Sequence, residues 1–292
     1  MTQILTLIAA RDATSLTAAT ISRVRDVTGG GAVTVLSPGE AADIACPAAP
    51  DLARVREALD GAPIDAIATP AADRRKRLLI ADMDSTIITG ETLDELAAYV
   101  GLGEKIAAIT ARAMNGELDF EDALRERVGM LKGLSIDALE QTWRGGRLTP
   151  GALELVATMK AHGAYSALVS GGFTFFTSRV AALVGFDMHR SNELLDDGTV
   201  LSGKVAEPIV GRSAKLAALR ELAARFDLPL SASLAVGDGA NDLDMLSAAG
   251  LGVAFHAKPI VAASARARVD HANLRALLFA QGYPASAFVS VN

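Results

Sequence analysis

The pattern of apolar and polar positions divides the chain into two regions. In the first region, short runs of apolar or alternating residues predict four strands, at Gln3–Ala9, Ala32–Leu36, Ala41–Cys46 and Ile64–Thr69. Helical spacing predicts two helices, over Ser15–Val27 and over Asp51–Leu59. The order β-α-β-β-α-β is that of a ferredoxin-like domain, so we predict a small α+β module over residues 1–72.

The second region, residues 78–292, alternates strands with helices. Apolar runs end at Asp82, Ser170 and Asp238, and each is followed by small or polar residues and then by a helical pattern. This alternation predicts an α/β fold with a doubly wound, Rossmann-like parallel sheet. Residues 1–72 would then pack as a separate module beside this larger domain.

The alternation stops between residues 94 and 147, where helical patterns replace the strands. The spacing predicts a helix over Glu104–Met114, and Asp119 and Ser135 are suitable N-caps for two more. Thr149 and Pro150 fit an N-cap and a first-turn proline, which indicates the return to the alternating pattern. We therefore predict a helical segment over residues 94–147, inserted after the first strand of the second region.

Composition excludes several classes of protein. Half of the 292 residues are hydrophobic, yet no apolar run approaches the ~18 residues of a membrane span. The single cysteine, Cys46, excludes an intramolecular disulfide framework and a cysteine-based zinc site. A net charge of −6 argues against nucleic acid as a partner. The apolar start lacks a preceding positive charge, so we interpret it as a buried strand and expect a cytoplasmic protein.

One basic run, Arg74–Arg77, separates the two regions. A phosphate-binding patch is one interpretation of it. Charged residues before a buried strand are more often a solvated linker, so we predict an exposed boundary that few contacts cross.

The candidate chemistry begins with Asp82 and Asp84, a D-x-D pair at the end of the first strand of the second region. Two carboxylates spaced in this way can share a metal ion and a substrate phosphate, one as nucleophile and the other as proton carrier. Solvated loop residues and calcium ligands also show this pattern. The pair therefore needs support from other strand ends.

That support comes from three later segments. The first is Ser170-Gly171-Gly172, whose composition is typical of loops that bind an anion through backbone N–H groups. The second contains Lys215, which lies in a helical pattern. The third is Asp238-x-x-Asn241-Asp242, which follows another predicted strand. Asp, Ser, Lys and Asp-x-x-x-Asp, in this order at strand ends, resemble the four motifs of the haloacid dehalogenase superfamily of phosphohydrolases. In that superfamily a helical cap follows the first strand, as residues 94–147 do here.

The resemblance implies a Mg²⁺ ion held by oxygen ligands. These would be the Asp82 carboxylate, the Asp84 backbone carbonyl and Asp238. Asp242 would lie behind them and hold a water molecule or Lys215. By the same resemblance Asp82 is the nucleophile, and Asp84 protonates the leaving group and then activates water.

The resemblance also implies a phosphate site. Ser170 and the Gly171 N–H would hold phosphate oxygens, Lys215 would screen the charge between nucleophile and phosphate, and Asn241 would contact the substrate. The alternative for Asn241 and Asp242 is that they only cap the following helix.

Within the superfamily, Asp82 to Thr86, Glu91, Ala113 to Gly116 and Phe120 through Arg127 resemble the phosphoserine phosphatase family. The resemblance implies that Glu91 binds the substrate amine, Arg127 pairs with its carboxylate, and Phe120 forms an apolar wall beside Met114. Phe120 is also a reasonable core residue, and Arg125 is a neighbouring charged alternative to Arg127.

We therefore expect an enzyme that hydrolyses O-phosphoserine to L-serine and phosphate, the last step of serine biosynthesis. One alternative is a phosphatase or phosphotransferase of the same superfamily with another small phosphorylated metabolite. Another is an amino-acid-binding regulatory protein carried by residues 1–70, whose element order resembles that of ACT domains. Whether the chain forms a homodimer is left open by the sequence.

Overall fold

The computed structural model describes residues 2–291, apart from the side chain of Met114. Among these residues no helix is long and apolar enough to span a bilayer. The described chain contains an antiparallel sheet near its N-terminus, a larger parallel sheet and a two-stranded hairpin.

The antiparallel sheet has four strands in the order β2-β3-β1-β4. They are β1 (Gln3–Ala9), β2 (Val33–Ser37), β3 (Ala41–Cys46) and β4 (Ile64–Pro70), with helices α1 (Ala18–Thr28) and α2 (Leu52–Leu59) between them. The predicted β-α-β-β-α-β order is confirmed. Helix α1 begins three residues later than predicted, because Thr17 is its N-cap and accepts a 3.1 Å hydrogen bond from Thr20 N.

The parallel sheet has six strands in the order β12-β11-β10-β5-β6-β7. These strands are β5 (Leu78–Ala81), β6 (Tyr165–Phe173), β7 (Met188–Asn192), β10 (Ser233–Gly237), β11 (Leu251–Phe255) and β12 (Ala267–Val269). Alternate residues of each strand face opposite sides, so Leu79 packs in one buried cluster and Ile80 in another. This is the predicted doubly wound arrangement, and it brings the carboxyl ends of β6, β5 and β10 to adjacent positions.

Helices cover both faces of the parallel sheet. One face packs against α7 (Ala152–Ala161), α8 (Thr174–Val184) and α12 (Ala276–Ala280). The other face packs against α9 (Arg212–Arg225), α10 (Leu243–Ala248) and α11 (Pro259–Ser264). With the sheet buried on both sides, functional side chains reach solvent only at its edges and strand ends.

Four of the five helices between β5 and β6 form a separate group that precedes α7. They are α3 (Thr92–Ala98), α4 (Gly103–Met114), α5 (Phe120–Gly129) and α6 (Asp137–Gly145). We call these helices the cap. The chain enters and leaves the cap side by side, because Ile88 and Leu148 form an antiparallel bridge. A hairpin of β8 (Leu194–Asp196) and β9 (Leu201–Val205) packs against α5.

Asp73, Arg75 and Arg77 are exposed as predicted, but the prediction that few contacts cross this boundary is wrong. Arg74 forms an ion pair with Asp43 of β3, at 2.6 Å, and Lys76 donates from Nζ to Ser231 O at 2.9 Å. The sheet face that α1 and α2 leave uncovered also packs on the core, where Ile8 and Ile67 join its main apolar cluster. A four-stranded sheet with helices on one face must bury the other face, and here the parallel domain covers it.

Candidate functional site

The first candidate residue, Asp82, lies directly after β5 at the centre of the parallel sheet. Its backbone N–H donates to Val236 O at 3.0 Å, which continues the ladder between β5 and β10 for one more residue. The chain then turns sharply, with Ser85 in the left-handed region at φ 53°. Asp82 is 6% exposed, and its Oδ1 lies 2.8 Å from Lys215 Nζ.

Lys215 of α9 is fully buried between two carboxylates. Its Nζ donates to Asp242 Oδ1 at 2.7 Å and lies at a similar distance from Asp82. Burial opposes the charge, but Asp242 and Asp82 outweigh it and raise the pKa of Lys215 above its ordinary value. A lysine held charged in this way can neutralise part of an anionic site.

The loop after β10 positions Asp238, Asn241 and Asp242. Asp242 Oδ2 accepts from Gly239 N at 3.1 Å while its Oδ1 pairs with Lys215, so Asp242 caps the turn and also takes part in the charged cluster. Gly237 is required here, because a Cβ at that position would collide with the Asp242 carboxylate. The interpretation that Asp242 is only a helix cap is therefore wrong.

Three carboxylates form a candidate cation site. Oxygen atoms from Asp82, Asp238 and Asp242 all lie within 4.8 Å of one another. Asp238 Oδ2 is buried with no hydrogen-bond partner in the described part of the chain, and burial, followed by Asp82 and Asp242, raises the pKa of Asp238 well above its ordinary value. An orphaned oxygen among crowded acids, with oxygen donors alone, fits a hard divalent cation.

Asp84 is a buried carboxyl group that lies close to other acids. Its carboxyl group accepts from Thr92 N at 3.3 Å and from Thr92 Oγ1 at 3.2 Å. Burial, with Glu91 and Asp82 adding to it, raises the pKa of Asp84 well above its usual range. Thr92 was not singled out in the sequence, because a threonine near a helix start has no distinctive pattern.

The end of β6 forms the candidate anion loop. Ser170 is buried, and its Oγ accepts from Gly172 N at 2.9 Å. The buried Asn192 of β7 fixes this loop by donating from Nδ2 to Gly171 O at 2.8 Å and accepting at Oδ1 from Val210 N at 2.7 Å. Asn192 was not predicted from the sequence, because its partners are at least 18 residues away along the chain.

Two charged side chains come from the cap side of the site. Glu91 Oε1 accepts from Ser85 Oγ at 2.6 Å, and burial raises the pKa of Glu91. Arg127 is 3% exposed and donates from a guanidinium nitrogen to Thr110 Oγ1 at 2.9 Å. Arg125, the alternative, points to the surface and pairs with acids there.

Phe120 at the start of α5 covers the anion loop. A Cβ on Gly171 would lie 2.5 Å from Phe120 Cζ, so the ring rests directly on that glycine. It also contacts Gly211 before α9. Phe120 is therefore a wall of the site and packs against the main apolar cluster as well. The predicted neighbour, the Met114 side chain, lies outside the described residues.

A single pocket joins these residues across the core and the cap. Its lining consists of Asp82, Asp84, Glu91, Leu93, Phe120, Leu124, Arg127, Ser170, Gly171, Gly172, Phe173, Asp238 and Asn241. Lys215 and Asp242 lie directly behind Asp82 and Asp238. The fold thus brings together all the candidate site residues whose side chains it describes.

Lys258 is a further cation near the pocket that the sequence analysis did not select. It precedes α11, its backbone N–H donates to Asp238 O at 3.0 Å, and its Nζ lies 3.8 Å from Asp238 Oδ2. A lysine followed by proline after a strand is a weak signal by itself, since it is also a common helix start.

Comparison with known proteins shows the family to which the chain belongs. The model of the haloacid dehalogenase-like hydrolase family matches residues 79–247, more than half of the chain. A phosphoserine phosphatase of Streptomyces coelicolor is 44% identical over 223 residues, which are 76% of this chain and 54% of that protein. The chain spans about half the length of the first curated relatives it matches.

Solved structures match both the whole chain and its larger part. A haloacid dehalogenase family hydrolase from Salmonella enterica superposes with a TM-score of 0.83 at 31% identity, covering 95% of this chain and 97% of that one. A phosphoserine phosphatase with a phospho-aspartyl intermediate analogue gives a TM-score of 0.67 at 38% identity, covering 70% and 98%.

Proposed function

Because the chain belongs to the haloacid dehalogenase-like hydrolase family, we propose that it hydrolyses O-phosphoserine to serine and phosphate. The observation that carries this proposal is one pocket with acids at its floor, a glycine-rich anion loop, and Glu91 and Arg127 on the cap side. A phosphate, an ammonium and a carboxylate each have a complementary group there.

In the first half-reaction, a carboxylate oxygen of Asp82 attacks phosphorus. The bond from phosphorus to the serine oxygen breaks, and Asp84 supplies the proton that this oxygen needs to leave. The raised pKa of Asp84 suits this task, because the carboxyl group must carry a proton when the substrate arrives. Serine and an aspartyl phosphate on Asp82 are the products of this step.

In the second half-reaction, water attacks the aspartyl phosphate. Asp84 is now a carboxylate and accepts the water proton, and the bond from phosphorus to the Asp82 oxygen breaks. Phosphate leaves, and both residues return to their starting protonation states. Lys215 stays charged throughout and offsets the negative charge of Asp82.

Asp82, Asp238 and the Asp84 carbonyl would hold Mg²⁺, with Asp242 behind them. Mg²⁺, when bound, supplies the positive charge that lets a carboxylate approach a phosphate dianion. Asp242 has both oxygens engaged by Lys215 and Gly239 N, which suits an orienting role better than direct coordination.

Substrate choice would depend on the cap. Glu91 would accept hydrogen bonds from the substrate ammonium, and Arg127 would pair with the carboxylate. Phe120 covers the anion loop and contacts Gly171. Through this contact, the position of the cap would affect the position of the bound phosphate. A phosphatase or phosphotransferase with a different metabolite would share the acids and the loop without needing both Glu91 and Arg127.

Rapid quenching of the enzyme in labelled phosphoserine tests the mechanism. We expect acid-stable label on the peptide that contains Asp82, and label on a serine or histidine would contradict the proposal. Phosphate release over a panel of phosphate esters tests the substrate, with phosphoethanolamine as the matched compound that lacks only the carboxylate. Equal turnover of both compounds would favour the generic phosphatase.

A further inference from the structure

We propose that Asp65, a residue of the N-terminal module, positions the cation-binding loop of the catalytic core. This inference rests on the proposed function, because it concerns the site that Asp238 forms. Asp65 lies on β4 and is 4% exposed. It does not line the catalytic pocket, so any effect on the site must act through other residues.

The Asp65 carboxylate holds one segment of the core by three hydrogen bonds. Its oxygens accept from the backbone N–H groups of Asp270 at 2.8 Å, His271 at 3.2 Å and Ala272 at 2.8 Å. These residues directly follow β12, the edge strand of the parallel sheet. A buried carboxylate that accepts three amides fixes the position of that segment, and a neutral side chain cannot satisfy all three.

The segment held by Asp65 is bonded in turn to the end of β11. His256 N donates to Val269 O at 2.8 Å, and the His256 ring nitrogen Nε2 lies 2.9 Å from Ala272 O, which makes it the protonated nitrogen. Two residues later, Lys258 N donates to Asp238 O at 3.0 Å. Hydrogen bonds and short stretches of backbone thus join Asp65 to the backbone of a proposed metal ligand.

A second branch reaches the nucleophile side of the site. Leu274 N donates to Pro150 O at 3.1 Å, and Thr149 N donates to Ile87 O at 2.9 Å. Ile87 ends the turn that begins with the nucleophile loop, and Thr149 lies where the cap returns to the core. The segment that follows β12 is therefore linked both to the loop of Asp238 and to the turn that follows Asp82, and Asp65 is one of its contacts with the N-terminal module.

The test compares Asp65→Asn with Asp43→Asn in the full-length chain. Both variants remove one buried charge from the face of the N-terminal module that packs on the core. Asp43, however, bonds to Arg74 and Thr6, beside the end of α12, and not to residues 256–272. In Asp65→Asn the new side chain would offer one acceptor oxygen, and its amide group would face an N–H that has lost its partner.

Mg²⁺ affinity is measured by calorimetric titration without substrate, and amide hydrogen exchange is followed at residues 256–258 and 270–272. Altering groups that orient metal ligands costs ~10–100-fold in affinity when they touch the ligand, so for this more distant contact we expect about 3–10-fold. Asp65→Asn should show this loss and faster exchange at both segments. Asp43→Asn should bind Mg²⁺ as wild type does.

Unchanged Mg²⁺ affinity in Asp65→Asn, or an equal loss in both variants, would overturn the inference. If Asp65→Asn does not fold, the same measurements are made on His256→Asn, which breaks the next contact in the series. Asparagine tolerates the φ of 44° at this position but is too short to reach Ala272 O. Wild type separates the two proposals: failure of wild type to bind Mg²⁺ or to hydrolyse phosphoserine would reject the proposed function itself.

Discussion

Two groups of buried carboxylates, one at the module–core interface and one in the catalytic pocket, differ in how completely their oxygens are hydrogen-bonded. At the interface Asp43 pairs with Arg74, Glu40 pairs with Arg275, and Asp65 accepts three amides. In the pocket five acids, Asp82, Asp84, Glu91, Asp238 and Asp242, surround two buried cations, Lys215 and Arg127.

This difference distinguishes the interface carboxylates, which bond to other parts of the protein, from the pocket carboxylates, which could bind a ligand. At the interface the carboxylates of Asp43, Glu40 and Asp65 all have hydrogen-bond partners, although burial raises the pKa of Asp65 as well. In the pocket, Asp238 Oδ2 and Asn241 Oδ1 have no hydrogen-bond partner among the described residues, and the pKa of Asp84 and of Asp238 is raised. An excess of buried carboxylates over cations lowers the stability of the folded state unless a bound cation and substrate balance the charge.

The largest expected effect is on activity, from Asp82→Asn. The amide cannot attack phosphorus, so turnover should fall by ~10⁴-fold or more, as it does when other enzymes lose a nucleophile. The folded protein should persist, because Lys215 keeps its bond to Asp242. Phosphate release and thermal unfolding measure the two properties. Residual activity within tenfold of wild type would show that Asp82 is not the nucleophile.

Arg127→Met is expected to affect one substrate more than another. Loss of a buried charge-assisted pair costs about 2–5 kcal/mol, so kcat/KM for phosphoserine should fall by ~30-fold to several thousandfold. Phosphoethanolamine, which has no carboxylate, should be much less affected. Arg125→Met is the matched control, since Arg125 is exposed on the same helix. Equal losses for both substrates would mean that Arg127 supports the cap through Thr110 instead.

The grouping of the pocket residues could be predicted from the sequence because each motif is local. Asp82 with Asp84, and Asp238 with Asn241 and Asp242, are close along the chain and follow apolar strands. Residues missed by that reasoning act over long separations: Asn192 bonds to residues at least 18 positions away, and Asp65 to residues about 205 away. Single polar residues within strands carry no local signal of such partners.

The contacts across the boundary between the two regions were not predicted, for the same reason. Arg74 and Lys76 have the composition of a solvated linker, and their partners, Asp43 and Ser231, are distant in sequence. The apolar pattern of β1 likewise predicts a strand without indicating what covers each face of its sheet. Packing of Ile8 against the core is a tertiary property that periodicity does not contain.

Substitutions at the interface should lower stability, whereas substitutions in the pocket should lower activity. Asp43→Asn leaves Arg74 without its buried partner, and breaking such a pair costs about 3 kcal/mol. The midpoint of thermal unfolding should fall by roughly 5–10 °C, with kcat nearly unchanged. Arg190→Gln, which breaks an exposed pair with Glu221, is the control and should cost less than about 1 kcal/mol. Similar losses in both variants would remove the distinction between the interface and an ordinary surface.

The smallest expected effect is a gain in stability at Glu91. Burial, with Asp94 and Asp82 adding to it, raises the pKa of Glu91, although the hydrogen bond from Ser85 opposes this. The folded state therefore holds the Glu91 proton more tightly than the unfolded state does, and the ionised form lowers stability. This cost is absent below the unfolded pKa of about 4.3 and grows as the pH rises through the folded pKa.

Glu91→Gln lacks this cost, so without substrate it should unfold a few degrees above wild type at pH 7–8. The difference should shrink as the pH falls toward 4, where wild-type Glu91 is neutral in both states. Glu104→Gln, on the exposed side of α4, should show no such trend. Glu91→Gln should also raise KM for phosphoserine, because the ammonium loses its charged partner. A stability difference that does not depend on pH would mean that altered hydrogen bonding to Ser85, and not removal of a charge, causes it.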